Sequence, residues 1–166
     1  MSTISSVSPD LFLLDSITDF QEHSLKLLNQ ARRNIAILSR DLDEAVYGND
    51  EFIEALSHFV RSSRSAQVQV LVKNTKPAIE SGHSLTKLHQ RLSSKVLLRK
   101  LTLEPANTDM GFMLCDTAGL LYKNDDGVYQ GFANYNAAVE VKRFREVFDY
   151  LWQYAEAEVE LQVLHL

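Results

Sequence analysis

The sequence has one cysteine, three prolines and six glycines in 166 residues, and it lacks any apolar run of the roughly 18 to 20 residues that a membrane span needs. A lone Cys115 excludes an internal disulfide and fits a reducing compartment. So few prolines and glycines exclude a collagen-like or linker-rich chain. The opening MSTISSVSPDLFLL has no basic segment ahead of a long apolar one, so no secretory signal is read and a cytoplasmic protein is expected. Cations are also short. The formal net charge is -5, which gives no global excess to neutralise a phosphate backbone, and nucleic-acid binding through Arg61, Arg64, Lys95, Arg99 and Lys100 is therefore disfavoured. No set of histidines, cysteines and carboxylates has ligand spacing, so neither a metal nor a cofactor is expected.

What is present is a globular composition, with 45% hydrophobic residues dealt into short segments. We read residues 1–17 as a polar lead-in and 18–166 as one domain. Thr18 and Gln21 have capping-box spacing and open a helix over 18–33, with Phe20, Leu27, Leu28 and Ala31 on one face. IAILS is a buried strand ending at Ser39. Asn49 caps the next helix, whose inward stripe is Phe52, Ile53, Leu56, Phe59 and Val60. VQVLV, from Val68 to Val72, is a second strand, and KNTKPAIESGH reads as loop and turn. A helix over 84–92 and the strand VLLRKL follow. This α-β-α-β-α-β order implies parallel neighbouring strands. GFMLCD, GLLYKN and VYQGFAN are then three short strands joined by tight turns, one of them at Asp126-Gly127. A long helix over 137–157 carries the stripe Val141, Phe144, Phe148, Leu151 and Ala155, and the alternating tail VELQVLHL is an expected edge strand. The fold class is α/β: a three-layer sandwich, a mixed sheet with helices on both faces.

The stretch DMGFMLCDTAGLLYKNDDGVYQGFAN, from Asp109 to Asn134, carries the one motif of interest. Asp116 closes the strand GFMLC, and GFAN supplies Gly131 and Asn134. With the element order, this resembles one half of the phospholipase D superfamily, whose motif is histidine, any residue, lysine, four residues and aspartate, followed by glycine, serine, any residue and asparagine. Asp116 stands at the motif aspartate, but Asp109 stands at the histidine and Gly111 at the lysine, and Phe132 replaces the serine. The resemblance implies a histidine that attacks phosphorus and a lysine that supports the charge building on the phosphoryl oxygens. Asp109 repels that charge and Gly111 contributes no side chain. The nearest substitute, His89-Gln-Arg91, lies on an expected helix with Val96 at the aspartate position. No catalytic residue is therefore expected.

Ligands in open α/β sheets collect beyond the carboxyl ends of the strands. Those ends offer Arg40 and Asp41, then Lys73 and Asn74, and with His83, Asp116 and Asn134 they form the candidate ligand-binding set. Read blandly, Arg40, Asp41, Lys73 and Asn74 are solvated loop residues and His83 is a partial helix cap. Cys115, among apolar neighbours and beside a carboxylate, is read as a packing residue with a poor thiolate. These observations favour a non-catalytic phospholipase D-like domain that binds a phosphate-bearing ligand or a partner protein. The alternative is an atypical phosphodiesterase or phosphotransferase using His83 or His89 with Asp116. Since active members of the superfamily join two such halves, the resemblance also implies a homodimer, beside an unknown protein partner or a phosphorylated small ligand.

Overall fold

The computed structural model describes residues 9–103, 109–125 and 127–157. In chain order the elements are β1 (Leu11–Leu14), α1 (Ile17–Gln30), β2 (Asn34–Ser39), α2 (Glu44–Tyr47), α3 (Asp50–Arg61), β3 (Gln67–Val72), α4 (Lys76–Ser81), α5 (Ser84–Arg91), β4 (Val96–Lys100), β5 (Gly111–Cys115), β6 (Gly119–Asp125), β7 (Val128–Asn134) and α6 (Ala138–Tyr154). The strands make one mixed sheet in the order β1-β7-β6-β5-β2-β3-β4. β2, β3 and β4 are parallel, and each crossover between them carries helices. β5, β6 and β7 follow as an antiparallel meander, with β5 paired on β2.

Burial follows the pleat. Ile35 and Ile37 of β2 face one layer and Ala36 and Leu38 the other, so a strand buried on both sides is apolar throughout. The first layer holds α1 to α5, whose Phe20, Leu27, Phe52, Leu56, Leu85 and Leu88 pack on Val68, Val70 and Val72. The second is α6, which lays Val141, Phe148 and Leu151 over Leu71, Phe112, Leu114 and Leu120. Phe148 stacks on Trp152, and the Arg99 guanidinium lies 4.4 Å from the Trp152 ring centroid. A three-layer α/β sandwich with a long C-terminal helix is thus the architecture.

Four local readings need correction. The first helix is capped by Ser16, whose hydroxyl accepts the Asp19 N–H at 3.1 Å, so it begins before Thr18. The supposed lead-in contains β1, which pairs antiparallel with β7 from Leu11↔Asn134 to Leu14↔Gly131. A four-residue strand with one buried side chain, Leu14, has too little alternation to stand out. The segment read as pure loop after β3 contains α4, started by Pro77 in its first turn and stopped by Gly82 at φ 63°. The charged loop after β2 contains the single turn α2, capped by Asp43. Asn49 caps α3 as expected, its Oδ1 accepting the Phe52 N–H at 2.9 Å. The tail expected as an edge strand lies outside the described residues.

Candidate functional site

Because β5 is antiparallel to β2, the motif stretch runs the length of the sheet. Asp109 and Gly111 lie at the end where β2, β3 and β4 finish, here called the carboxyl end, and Asp116 lies beside Asn34, where β2 starts. The six residues of β2 put these two ends roughly 16 Å apart.

At the carboxyl end the structure brings four of the candidate residues together. The Lys73 N–H donates to the Ser39 carbonyl at 3.1 Å and the Asn74 N–H to the Arg40 carbonyl at 2.7 Å, which sets the two loops side by side. Arg40 Nε donates to Asp41 Oδ2 at 3.2 Å, and its Nη1 lies 4.0 Å from Asp125. Asn74 is exposed and its Oδ1 accepts the Lys76 N–H at 3.3 Å.

The sequence reading missed the centre of this region, Lys123. It is the cross-strand partner of Gly111, so its side chain lies on the sheet face that the absent Gly111 side chain would share. It is only 7% exposed. Its ammonium donates to Asp43 Oδ2 at 3.2 Å and lies 4.3 Å from the Tyr129 ring centroid, while the Tyr129 hydroxyl donates to the same carboxylate oxygen at 2.6 Å. Asp43 Oδ1 meanwhile accepts the Ala45 N–H at the start of α2. A signal existed: Leu121 and Lys123 alternate onto one face of β6, so the lysine occupies a core-facing position. Its partner Asp43, 80 residues away, had no such signal.

His83 lies on the same side but in a different environment. It is 1% exposed, and its Nδ1 accepts the Leu85 N–H at 3.0 Å as the cap of α5. Nε2 is buried and makes no well-formed hydrogen bond among the described residues. Burial holds the imidazole pKa below its usual value, against the raising effects of Glu44, the Leu42 backbone and Asp43. The ring is wedged against Gly48, where a β-carbon would stand 2.7 Å from Cε1. His89 is also buried, its Nδ1 2.6 Å from the Val96 carbonyl oxygen.

Asp116 and Asn134 lie at the opposite end. Asp116 has φ 54°, a left-handed conformation that aspartate tolerates better than most residues. Its Oδ2 accepts the Arg32 N–H at 2.9 Å, and its Oδ1 accepts those of Arg33 at 2.8 Å and Asn34 at 3.1 Å. Arg145 reaches over from α6 to donate to Asn34 Oδ1 at 2.7 Å and to the Asp116 carbonyl at 3.3 Å. The Asp116 carboxylate is therefore a clamp on the loop that enters β2. Asn134 caps a turn, its Oδ1 accepting the Asn136 N–H at 2.9 Å. Neither His83 nor His89 is brought to Asp116: their ring nitrogens meet Leu85 and Val96, while its carboxylate meets residues 32–34. Gly131 has a separate reason to be glycine, since a β-carbon there would lie 1.8 Å from the Tyr122 carbonyl oxygen. Cys115 is buried, which with the Asp116 charge pushes its thiol pKa up, as a packing residue requires.

This arrangement is a phospholipase D-like fold, and solved structures agree. The chain matches the phospholipase D family member Nuc from Salmonella typhimurium with TM-score 0.66 at 11% identity, over 91% of this chain and 99% of that one. NucT from Helicobacter pylori matches with TM-score 0.60 at 12% identity, over 89% and 97%. TrmBL2, an archaeal chromatin protein with a novel mode of DNA binding, matches with TM-score 0.66 at 18% identity, over 92% of this chain and 54% of that one. The chain thus spans about half the length of TrmBL2. No curated protein shows a significant sequence match. By sequence the chain belongs to the family described as Domain of unknown function (DUF7931), whose model matches residues 16–164.

One expectation is overturned here. Nucleic acid was disfavoured on net charge, but a protein described as DNA-binding shares this fold over 92% of this chain, so net charge is no ground for setting nucleic acid aside. Net charge is a weak guide because binding depends on local charge, about which the sum says little. No helix among the described residues is long and apolar enough to cross a membrane.

Proposed function

We propose that this chain is a non-catalytic phospholipase D-like domain that works by binding a phosphate-bearing polymer, with nucleic acid as the ligand class. One observation supports the reading: at the carboxyl end the resembled motif's histidine and lysine positions hold neither residue, and Lys123 and Arg40 are held by carboxylates. Asp109 stands where the resembled family has its histidine and Gly111 where it has its lysine. The ammonium of Lys123, across the ladder from Gly111, is committed to Asp43, and the Arg40 guanidinium to Asp41 and Asp125. A phosphodiester entering there meets carboxylates, and phosphoryl transfer needs unpaired cations on its developing charge. The alternative with His83 or His89 and Asp116 has no such support, since the groups lie apart and the Asp116 oxygens are occupied by three backbone N–H groups. Nucleic acid is favoured because the fold serves a DNA-binding protein in TrmBL2.

The test pairs two measurements on the purified chain. Fluorescence anisotropy with a short labelled DNA duplex at low salt is expected to show binding in the micromolar range typical of non-specific contacts. Incubation with bis(p-nitrophenyl) phosphate is expected to release no nitrophenolate above the buffer blank. Hydrolysis that persists through repurification and disappears in His83→Ala would overturn the non-catalytic reading, and absence of any nucleic-acid binding would overturn the ligand class.

A further inference from the structure

The surface opposite the cleft, at the amino end of the parallel strands, has a charge distribution that the net charge conceals. Each of β2, β3 and β4 is entered by a loop from a helix, and the three loops read ARRN, RSSRS and RLSSK. Within residues 31–34, 61–67 and 91–97 there are six cations and no carboxylate, in a chain of net charge -5. Arg32, Arg33, Arg61, Arg64 and Arg91 are all exposed, as are Ser62, Ser65, Ser93 and Ser94. None of these five arginines is held in an ion pair among the described residues.

Hydrogen bonds make the three loops one surface. The Gln67 N–H donates to the Arg33 carbonyl at 3.0 Å and the Val68 N–H to the Lys95 carbonyl at 2.8 Å. Lys95 Nζ donates to the carbonyls of Val60 at 2.9 Å and Ser63 at 2.5 Å. Adjacent strands are about 4.8 Å apart, so a rim across three of them, widened by arginine side chains, spans roughly 20 Å. A groove of about 590 Å³ between the ends of α1 and α3, lined by Ala31, Arg32, His58, Ser62 and Ser63, opens on this rim.

A simpler cause must be weighed. Helix C-termini carry partial negative charge, and cations in the last turn offset it. That accounts for Arg61 and Arg91, which lie in the last turns of α3 and α5. It does not account for Arg32, Arg33 and Arg64, which lie beyond the helix ends, and the Val60 carbonyl in the last turn of α3 already has the Lys95 ammonium. The acids nearest along α3, Asp50 and Glu54, line a neighbouring groove with Arg61 and Arg91, and the Asp116 carboxylate is turned to the backbone of residues 32–34.

We infer that this arginine and serine rim is the surface that binds nucleic acid, and that it takes the phosphate backbone of a duplex without reading its sequence. The inference rests on the proposed ligand class and names where that ligand sits. Guanidinium and hydroxyl groups are the usual phosphate contacts. A single strand needs aromatic platforms for its bases, and the three loops hold no aromatic residue.

The test compares two charge-reversal triples with the same change in net charge. One is Arg33→Glu/Arg64→Glu/Arg91→Glu on the rim; the other is Lys26→Glu/Lys76→Glu/Lys87→Glu, at exposed positions on α1, α4 and α5. Each is checked for unchanged circular dichroism and titrated with labelled duplex, the matching single strand, and phosphatidylcholine vesicles containing one part phosphatidylserine in three. The wild type is expected to bind duplex with a log–log salt slope of about -3 to -5, to lose at least about 30-fold in the rim triple, and to change several-fold at most in the control triple. Equal losses in the two triples, or none in either, would overturn the rim as the surface while leaving the ligand class standing. Preference for vesicles or for the single strand would overturn the duplex as occupant. No binding of any nucleic acid by the wild type would overturn the proposed function together with the rim.

Discussion

The two ends of the sheet differ in how they use charge. At the carboxyl end, Lys123 and Arg40 are tied to Asp43, Asp41 and Asp125, and the lysine is buried. At the amino end the Asp116 carboxylate is saturated by backbone N–H groups, and five exposed arginines lie beside it or on adjacent loops. At the end where open α/β sheets ordinarily take ligands Lys123 and Arg40 are held by carboxylates, and at the end that ordinarily only connects elements five arginines make no ion pair among the described residues. Asp116 therefore has a structural task of its own, the clamp on residues 32–34.

Breaking the carboxyl end should cost stability and leave binding intact. The largest effect is expected for Gly131→Ala, where a β-carbon meets the Tyr122 carbonyl and β6 or β7 must shift. Denaturant titration should show a loss of about 3 kcal/mol, or a chain that does not fold. Next is Lys123→Ala, which strands Asp43 in a half-buried position beside Tyr129 and should cost about 2 to 3 kcal/mol. The double change Lys123→Met/Asp43→Asn should recover much of that loss, because removing both charges of a buried pair costs less than removing one. Recovery no better than the single variant would argue that the ammonium does more than balance Asp43.

At the amino end, Asp116→Asn keeps the left-handed backbone and one acceptor oxygen but faces an amide N–H with an NH₂ group. It should cost about 1 to 2 kcal/mol, given that the carboxylate is partly exposed. Duplex affinity should stay within a few-fold if the loop remains folded.

The smallest effect is in pH. His83 and His23 both have pKa values lowered chiefly by burial, so below their usual value of 6.5 the unfolded chain takes up protons that the folded chain refuses. Stability is then complete above about pH 6.5 and falls as the pH drops towards the folded-state values. Thermal melts between neutral and mildly acidic pH should show this decline, and it should be shallower in His83→Asn.

Much of this was legible in the sequence, for physical reasons. β2 is a run too apolar for anything but a doubly buried strand, β3 carries the β-branched run VQVLV, Asn49 is a strong cap ahead of two acids, and the turn after Cys115 follows from its residues. β1, α2 and α4 were missed because each is six residues or fewer, and tertiary packing decides such short pieces. The position of Asp116 could be counted along the chain, but its clamp on residues 32–34 could not, since that contact joins residues more than 80 apart. Lys123 opposite Gly111 is a product of strand register, which sequence leaves open. The rim was dispersed in the same way, over three loops about 30 residues apart. Arg61, Arg64 and Lys95 could be picked out as basic candidates, but only the parallel topology makes the three loops neighbours.

The most direct measurement of the central claim is an amide chemical-shift titration of the isotopically labelled chain with a short DNA duplex. The account predicts salt-sensitive shifts confined to residues 31–34, 61–67 and 91–97, with Arg40, Asp41, Lys73 and Asn74 unmoved. Shifts concentrated at those four residues and around Lys123, with the rim silent, would contradict it.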